Sequence, residues 1–424
     1  MSKGGKRSSK KSAASKRTAA SKKMAQTSVR PQPSQGRANL ELFGTSLAVL
    51  ILALLLGGLV VSDPTRGTAT HAWEHARTVL AGWHAPIPVS AQTWKAWMHT
   101  MHRFTSACFF LPGARDATVA GALWQSFSAL WSYELDKYER SPYDVCFAVT
   151  WGLVLLVVRT VLMRVLLLPL AQVLVRRPNG APRDVKSVER FRRKVHRFAE
   201  QGWILILYAM SLVLVVAVAR RQPFWLWKPE QLWLQYPRTT MDALTKAVYL
   251  WEASNYIHQV FVINLEERRS DFWQMLTHHI VTLFLIGGSY MCCFHPVGIV
   301  VLLLMDPADV CLSTAKLLKY MGWQTLCDIM FGIFMIVWVI TRHIAYLFVW
   351  WTCYKDAPAL IRFSDRLDVV SGHALTPMSY IVFLVLLAIL QAILLVWFGM
   401  IVNVAVRVLT QKGAIDSRSD DSDE

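Results

Sequence analysis

Trp273–Cys292 reads WQMLTHHIVTLFLIGGSYMC, Val297–Leu318 reads VGIVVLLLMDPADVCLSTAKLL, and these two stretches decide the fold. Each is long enough to cross hydrocarbon as a helix, which takes about 17–25 residues. Each also carries groups that lipid penalises: His278 and His279 in the first, Asp306 and Asp309 in the second. Outward from them lie six plainer apolar runs, at about 45–62, 145–170, 203–219, 244–265, 326–350 and 378–405. Helices satisfy their own backbone in lipid, and no run shows the two-residue alternation of a barrel strand. The expected fold class is all-α: a polytopic helical membrane protein of about 8 transmembrane helices.

Composition agrees. Of 424 residues, 54% are hydrophobic and 17% charged, which excludes an ordinary soluble domain. The net charge of +17 is concentrated in residues 1–40, which hold eleven Lys/Arg and no Asp or Glu. That Ser/Ala/Lys tail buries no core. Beside a membrane span it reads as a cytosolic anchor rather than a nucleic-acid arm. The first apolar run starts near Thr45, too far in for a cleaved signal peptide. Seven scattered Cys lack metal-like spacing and read as free thiols.

A cytosolic N-tail sets the parity of every connection. The segment after the second span, with Arg176, Arg177, Arg183, Lys186, Arg190, Arg192, Arg193, Lys194 and Arg197, becomes a cytosolic loop, as the charge rule requires. Glu267, Arg268, Arg269 and Asp271 follow suit after the fourth span, and an even count returns the C-terminus to the cytosol. Trp-rich residues 63–142 suggest segments lying in the interface, and 117–133 leaves an extra span open. Arg159 and Arg164 suggest a second helix that leaves the lipid early.

Ionisable residues inside a bilayer normally face a cavity or a partner. At 1.5 Å per residue, His278 lies about 10 Å beyond Asp271, and Asp309 about 10 Å from Lys316. His279 and His258 fall about 12 Å deep and Asp306 about 15 Å. Three helices thereby place protonatable groups in one layer of the cytosolic half. Arg342, about 21 Å from Asp328, sits toward the other side, where Arg and Lys side chains often snorkel. Imidazole suits general-base or nucleophilic work, and a carboxylate can orient it. Two His and two Asp also offer metal ligands, but one such cluster makes metal chemistry the weaker option.

The stretch Glu267–Tyr320 resembles the longevity-assurance motif of ceramide synthases, within the TRAM–LAG–CLN8 (TLC) domain family. The matching residues are Arg268, Arg269, Asp271, His278, His279, Thr282, Ser289, Tyr290, Gly298, Asp306, Asp309, Ala315, Lys316 and Tyr320; Met305 and Ser313 resemble the fungal branch. Arg197–Trp203 and Tyr236-Pro237 resemble further family positions, so the likeness covers about 190–408. Pro296 stands where many relatives carry a basic residue, and no homeobox-like insert separates the first two spans.

The resemblance implies an endoplasmic-reticulum, multi-pass enzyme with both termini cytosolic. It would N-acylate a sphingoid base (dihydrosphingosine or phytosphingosine) with a fatty acyl-CoA, releasing CoA. His278, His279, Asp306 and Asp309 become catalytic candidates. His258, Arg268, Arg269, Ser289, Tyr290, Lys316 and Arg342 become substrate-binding ones. Acyl-CoA enters as co-substrate at a cavity open to the cytosolic side, with no tightly bound cofactor and no metal. The implied division is a basic tail (1–40), a first helix with a luminal or interfacial segment (41–142), a catalytic TLC-type domain (143–408) and an acidic tail (409–424). Ser417, Ser419 and Ser422 in that tail suit an acid-directed kinase. Expected partners are membrane lipids and a small single-span accessory subunit or a second copy, with no nucleic acid. The rivals are a non-enzymatic TLC lipid sensor or translocation factor, and a metal-dependent membrane hydroxylase.

Overall fold

The computed structural model describes residues 42, 44–56, 91–110, 138–176, 185–222, 228–234, 236–266, 270–366 and 375–410. Expectations that fall on the basic tail, on 117–133, on Arg268 and Arg269, and on Ser417, Ser419 and Ser422 lie outside the described residues.

Among these, helices α1 (Gly44–Leu56) and α2 (Ala91–Phe109) come first. Then follow α3 (Asp144–Leu174), α4 (Val185–Arg221), α5 (Ala243–Leu265) and α6 (Phe272–Met291). The last three are α7 (His295–Met321), α8 (Gln324–Leu360) and α9 (Pro377–Leu409). A two-residue antiparallel pair, β1 (Tyr138–Glu139) with β2 (Thr240–Met241), is the only sheet in this set. Five helices, α3, α4, α7, α8 and α9, are long and apolar enough to cross a membrane. They coincide with five of the expected runs. Helices α5 and α6 have 23 and 20 residues, about 34 and 30 Å of rise, but Lys246, Glu252 and the three His dilute their hydropathy.

Local chemistry sets the helix ends. Asp242 caps α5 by accepting from the Thr245 N–H. Thr376 and Ser379 form a reciprocal capping box at α9, with Pro377 in its first turn. Helix α7 starts with Pro296 and stops at Gly322, whose φ of 78° is the left-handed conformation a helix C-terminus favours.

One expectation is corrected. The basic segment after the second span is not a loop: from Val185 it is the first half of α4, a 37-residue helix. Val195 and Phe198 are buried against Ala171 and Val175, with Leu317 and Tyr320 alongside, while Arg190, Arg192, Arg193 and Lys194 point outward. A helical apolar stripe hidden among charges explains why composition alone reads as loop. Arg159, read as a sign that α3 leaves the lipid early, lies inside the bundle. That side chain is buried, 5% exposed, and pairs with Glu266 at the end of α5.

Two apolar cores are the largest among the described residues. One joins α6 to α7, α8 and α9 through Val281, Leu304, Phe334, Trp338 and Leu394. The other joins α4, α5, α6 and α7 through Val215, Val248, Tyr256, Ile286 and Leu302. The end of the bundle far from Asp271 is tied by a charged knot. Lys246 Nζ, fully buried, lies 3.0 Å from Asp144 Oδ1 and donates to the Glu139 carbonyl at 2.7 Å. Tyr290 donates to the other Asp144 oxygen at 2.6 Å, and Arg140 donates to the Met291 carbonyl. Strand β1 and helices α3, α5 and α6 thus meet at one buried ion pair.

Breaking such a pair leaves an uncompensated buried charge, at a cost of about 3–5 kcal/mol. Lys246→Met is expected to lower the thermal midpoint of the detergent-solubilised chain accordingly, and adding Asp144→Asn should recover most of the loss. An unchanged midpoint in the single variant would contradict this role.

Candidate functional site

The two histidines of α6 have opposite environments. His279 is 1% exposed and held at both ring nitrogens. Its Nδ1 lies 2.7 Å from the Met275 carbonyl, where only the ring nitrogen can donate, and its Nε2 lies 2.9 Å from Gln259 of α5. With Nδ1 protonated, a neutral imidazole accepts at Nε2; exchanging the two amide atoms of Gln259 moves no heavy atom and presents the needed N–H. Gln259 also meets Tyr208 of α4 at 3.3 Å and Asn255 at 3.2 Å. Three helices therefore clamp one imidazole.

His278 is bracketed by rings rather than bonds. Tyr256, His279 and Trp397 approach it edgewise with centroids at 6.3, 5.3 and 5.2 Å. Its Nδ1 is buried and has no partner. Adjacent helical residues point about 100° apart, so one of the pair can be fixed while its neighbour faces open space.

That space is a cavity of about 840 Å³. His278, Thr282, Leu285, Ile286 and Ser289 line it along α6, so it extends from the His pair away from the Asp271 end. Trp233, Phe294, Leu375 and Tyr380 lie at its far end. A second cavity of about 800 Å³ lies on the Asp271 side, between α3, α4, α5 and the start of α6. It is lined by polar groups, including Arg159, Glu200, His258, Gln259, Glu266 and Asp271. Where one cavity was expected, the described residues line at least two, an apolar one and a more polar one, with Gln259 on the wall of the second and its bonded partner His279 next to His278 of the first.

The carboxylates of α7 part company. Asp309 accepts from Arg342 Nη2 at 2.5 Å, and the same nitrogen donates to the Met305 carbonyl at 2.8 Å. Arg342 lies in a π-helical segment, Val339–Ala345, which turns it inward, and its guanidinium stacks 4.0 Å over Trp338. It is 4% exposed and does not snorkel. Asp306 is 1% exposed and neither of its oxygens has a partner. Its neighbour is Glu252 of α5, also 1% exposed, with one oxygen unpartnered. Neither aspartate hydrogen bonds an imidazole.

The other candidates separate. His258 accepts from Trp203 Nε1 at 3.2 Å and faces the polar cavity, not the His pair. Ser289 lines the apolar cavity beside Tyr249, 3.3 Å away. Gly298 lies against that tyrosine, and a Cβ there would overlap its hydroxyl. Tyr290 is bonded to buried Asp144, about 16 Å along the helix from His279. Lys316 is half-buried two turns beyond Asp309. Glu252, Tyr256 and Gln259 escaped the sequence reading. Gln259 stands seven residues from Glu266, the depth that picked out His278, but an uncharged amide raises no flag in a hydropathy window. Among the described residues no three His, Cys, Asp or Glu side chains converge to hold a metal.

Removing Arg342 leaves Asp309 without its counter-charge and Trp338 without its stacked cation. Arg342→Met is expected to lower the thermal midpoint, Arg342→Lys to lower it less, and Arg342→Met with Asp309→Asn to return most of it. A double variant no better than the single one would exclude the pairing as the cause.

Comparisons with known proteins place this geometry in a family. The model of the TLC domain matches residues 197–403, which include α4 from Arg197 onward and all of α5 to α8. The chain is 37% identical over 288 residues to sphingosine N-acyltransferase lag1 of Schizosaccharomyces pombe, covering 68% of this chain and 70% of that one. It is 33% identical over 312 residues to ceramide synthase FUM18 of Gibberella moniliformis, with shares of 68% and 70%. To ceramide synthase LOH1 of Arabidopsis thaliana it is 31% identical over 255 residues, with shares of 57% and 79%.

Proposed function

This chain belongs to the TLC-domain family of sphingosine N-acyltransferases, and from that premise we propose that it is a ceramide synthase, joining the acyl group of a fatty acyl-CoA to the amine of a sphingoid base. The observation that carries the mechanism is the contrast between its two histidines. His278 has an unpartnered nitrogen at the head of an apolar cavity, while His279 is bonded at both nitrogens.

In this reading His278 is the reacting group. It takes the proton of the attacking amine, or first takes the acyl group as an acyl-imidazole; the free nitrogen serves either route. His279 is a positioning residue, fixing the α6 turn against Gln259. The apolar cavity accepts a hydrocarbon chain. Asp306 with Glu252 offers carboxyl groups for the sphingoid ammonium or hydroxyls, and Asp309 acts through Arg342.

Orientation belongs to the same proposal. The polar cavity and the outward basic face of α4 (Arg190, Arg192, Arg193 and Lys194) lie at the Asp271 end. A cytosolic position for that end lets the CoA phosphates meet Arg and Lys, and keeps the charged carrier out of lipid. With α1, α5 and α6 added to the five apolar spans, the count is eight and both termini are cytosolic, in the endoplasmic-reticulum membrane. The catalytic domain then occupies 143–408, between the first helix with its luminal segment and the acidic tail. Ser417, Ser419 and Ser422 are proposed phosphorylation sites, Arg268, Arg269 and Lys316 anion contacts. A small single-span subunit or a second copy is the proposed partner.

Membranes carrying the chain are to be supplied with labelled sphinganine and acyl-CoA, and ceramide measured. His278→Ala should remove about 10²–10⁴-fold of the rate with protein level unchanged, the range of a lost general acid–base group. Gln259→Leu, which only frees His279, should lower kcat by about 10²-fold, as a misplaced group does. Full activity in His278→Ala would sink the mechanism.

A further inference from the structure

Thr282 lacks the local hydrogen bond that five other helical threonines make. Thr100, Thr105, Thr160, Thr314 and Thr341 each donate to the carbonyl four residues earlier, at 2.8–2.9 Å. That back-bond is the ordinary local partner of a threonine inside a helix. The equivalent acceptor for Thr282 is the His278 carbonyl, and the bond is not made: Thr282 Oγ1 is buried and has no partner. The residue is 7% exposed and lines the apolar cavity one helical turn from His278.

A second donor stands nearby in the same condition. Trp397 of α9 is 4% exposed, its ring centroid is 5.2 Å from that of His278, and its Nε1 is buried without a partner. Buried donors are costly to leave unbonded, and here two of them flank an imidazole that also has a free nitrogen. Beyond Thr282 the cavity wall (Leu285, Ile286, Leu302, Met305) is apolar; Tyr256 is another hydroxyl-bearing lining residue, in ring contact with His278, and Trp397 touches His278 without lining the cavity.

We propose that the Thr282 hydroxyl, with the Trp397 indole N–H as second donor, is the oxyanion-binding site for the carbonyl oxygen of the acyl thioester. The assignment rests on the acyl-transfer reading above. When the sphingoid amine nitrogen adds to the thioester carbon, a C–N bond forms and the C=O π pair moves onto oxygen. Thr282 and Trp397 donate to that oxygen while His278 takes the proton from nitrogen. The pair then returns to carbon, the C–S bond breaks, and the departing thiolate regains the proton from the imidazolium, giving amide and free CoA. Through an acyl-imidazole the same oxygen gathers charge twice, once in each half of the transfer. Donors that meet charge only in the transition state raise kcat and leave ground-state binding alone.

The test measures kcat and KM in membranes carrying the full chain, with sphinganine and either palmitoyl-CoA or lignoceroyl-CoA, whichever the wild type turns over faster. Thr282→Val keeps the shape and removes the donor, and should lower kcat by about 10²–10³-fold with KM for acyl-CoA unchanged. Thr282→Ser should retain most of the rate, and Trp397→Phe should lower kcat with KM unchanged. Wild-type kcat in Thr282→Val, or equal losses in the Val and Ser variants, overturns the assignment. Should Thr282→Val fail to accumulate, Thr282→Ala against Thr282→Ser gives the same comparison. A fully active Thr282→Val beside an inactive His278→Ala overturns only the oxyanion site. Wild-type membranes that make no ceramide overturn the acyl-transfer reading itself.

Discussion

A polar side chain in the hydrocarbon layer must find its partner inside the bundle, because lipid offers none. Most of the architecture described above follows from that constraint. Lys246 and Asp144 settle one end, Arg159 and Glu266 the other, and Arg342 with Asp309 secures α7 to α8 between them. The first two pairs join α3 to α5, helices distant in sequence, and so fix them as neighbours; the third fixes how α8 faces α7. Apolar packing alone discriminates weakly between neighbours in lipid, where one Leu face resembles another.

Against that background the unpartnered groups stand out. His278 Nδ1, Thr282 Oγ1, both Asp306 oxygens and one Glu252 oxygen are among the buried polar atoms without hydrogen bonds. They occur on α5, α6 and α7 at the level where the apolar cavity meets the His pair. On the proposed mechanism, the bonded groups give support and the unbonded ones react. Gln259, Arg342 and Trp338 supply rigidity, and the groups left open face the place where substrate is proposed to sit. Pro307, between the two aspartates, denies the Leu303 carbonyl its usual donor, two residues from where Arg342 reaches the Met305 carbonyl.

The family comparisons and the geometry address different questions. Similarity to sphingosine N-acyltransferases across two thirds of the chain gives the reaction class. It does not say which imidazole is free, and the hydrogen bonds do. It also does not assign Tyr290, whose hydroxyl is committed to Asp144 well away from the histidines, or His258, which serves Trp203.

The sequence by itself determined the class of the fold and the depth of its ionisable residues along their helices. Runs of about twenty apolar residues permit little but helices, and a rise of 1.5 Å per residue turns spacing from a charged flank into depth. His278, His279, Asp306 and Asp309 were therefore legible, as was their shared layer. Helix rotation and neighbour choice were not, because depth is a one-dimensional quantity. Which face of α5 turns to α6 decides that Gln259, not His258, meets His279. A π-helical turn in α8 decides that Arg342 points inward. Residues that leave hydropathy nearly unchanged, such as Gln259 and Thr282, or that are averaged away in a long window, such as Glu252 and Lys246, acquire meaning only when another helix is brought against them. Contact between helices is a tertiary fact, and it separated the imidazole held in place from the one left free.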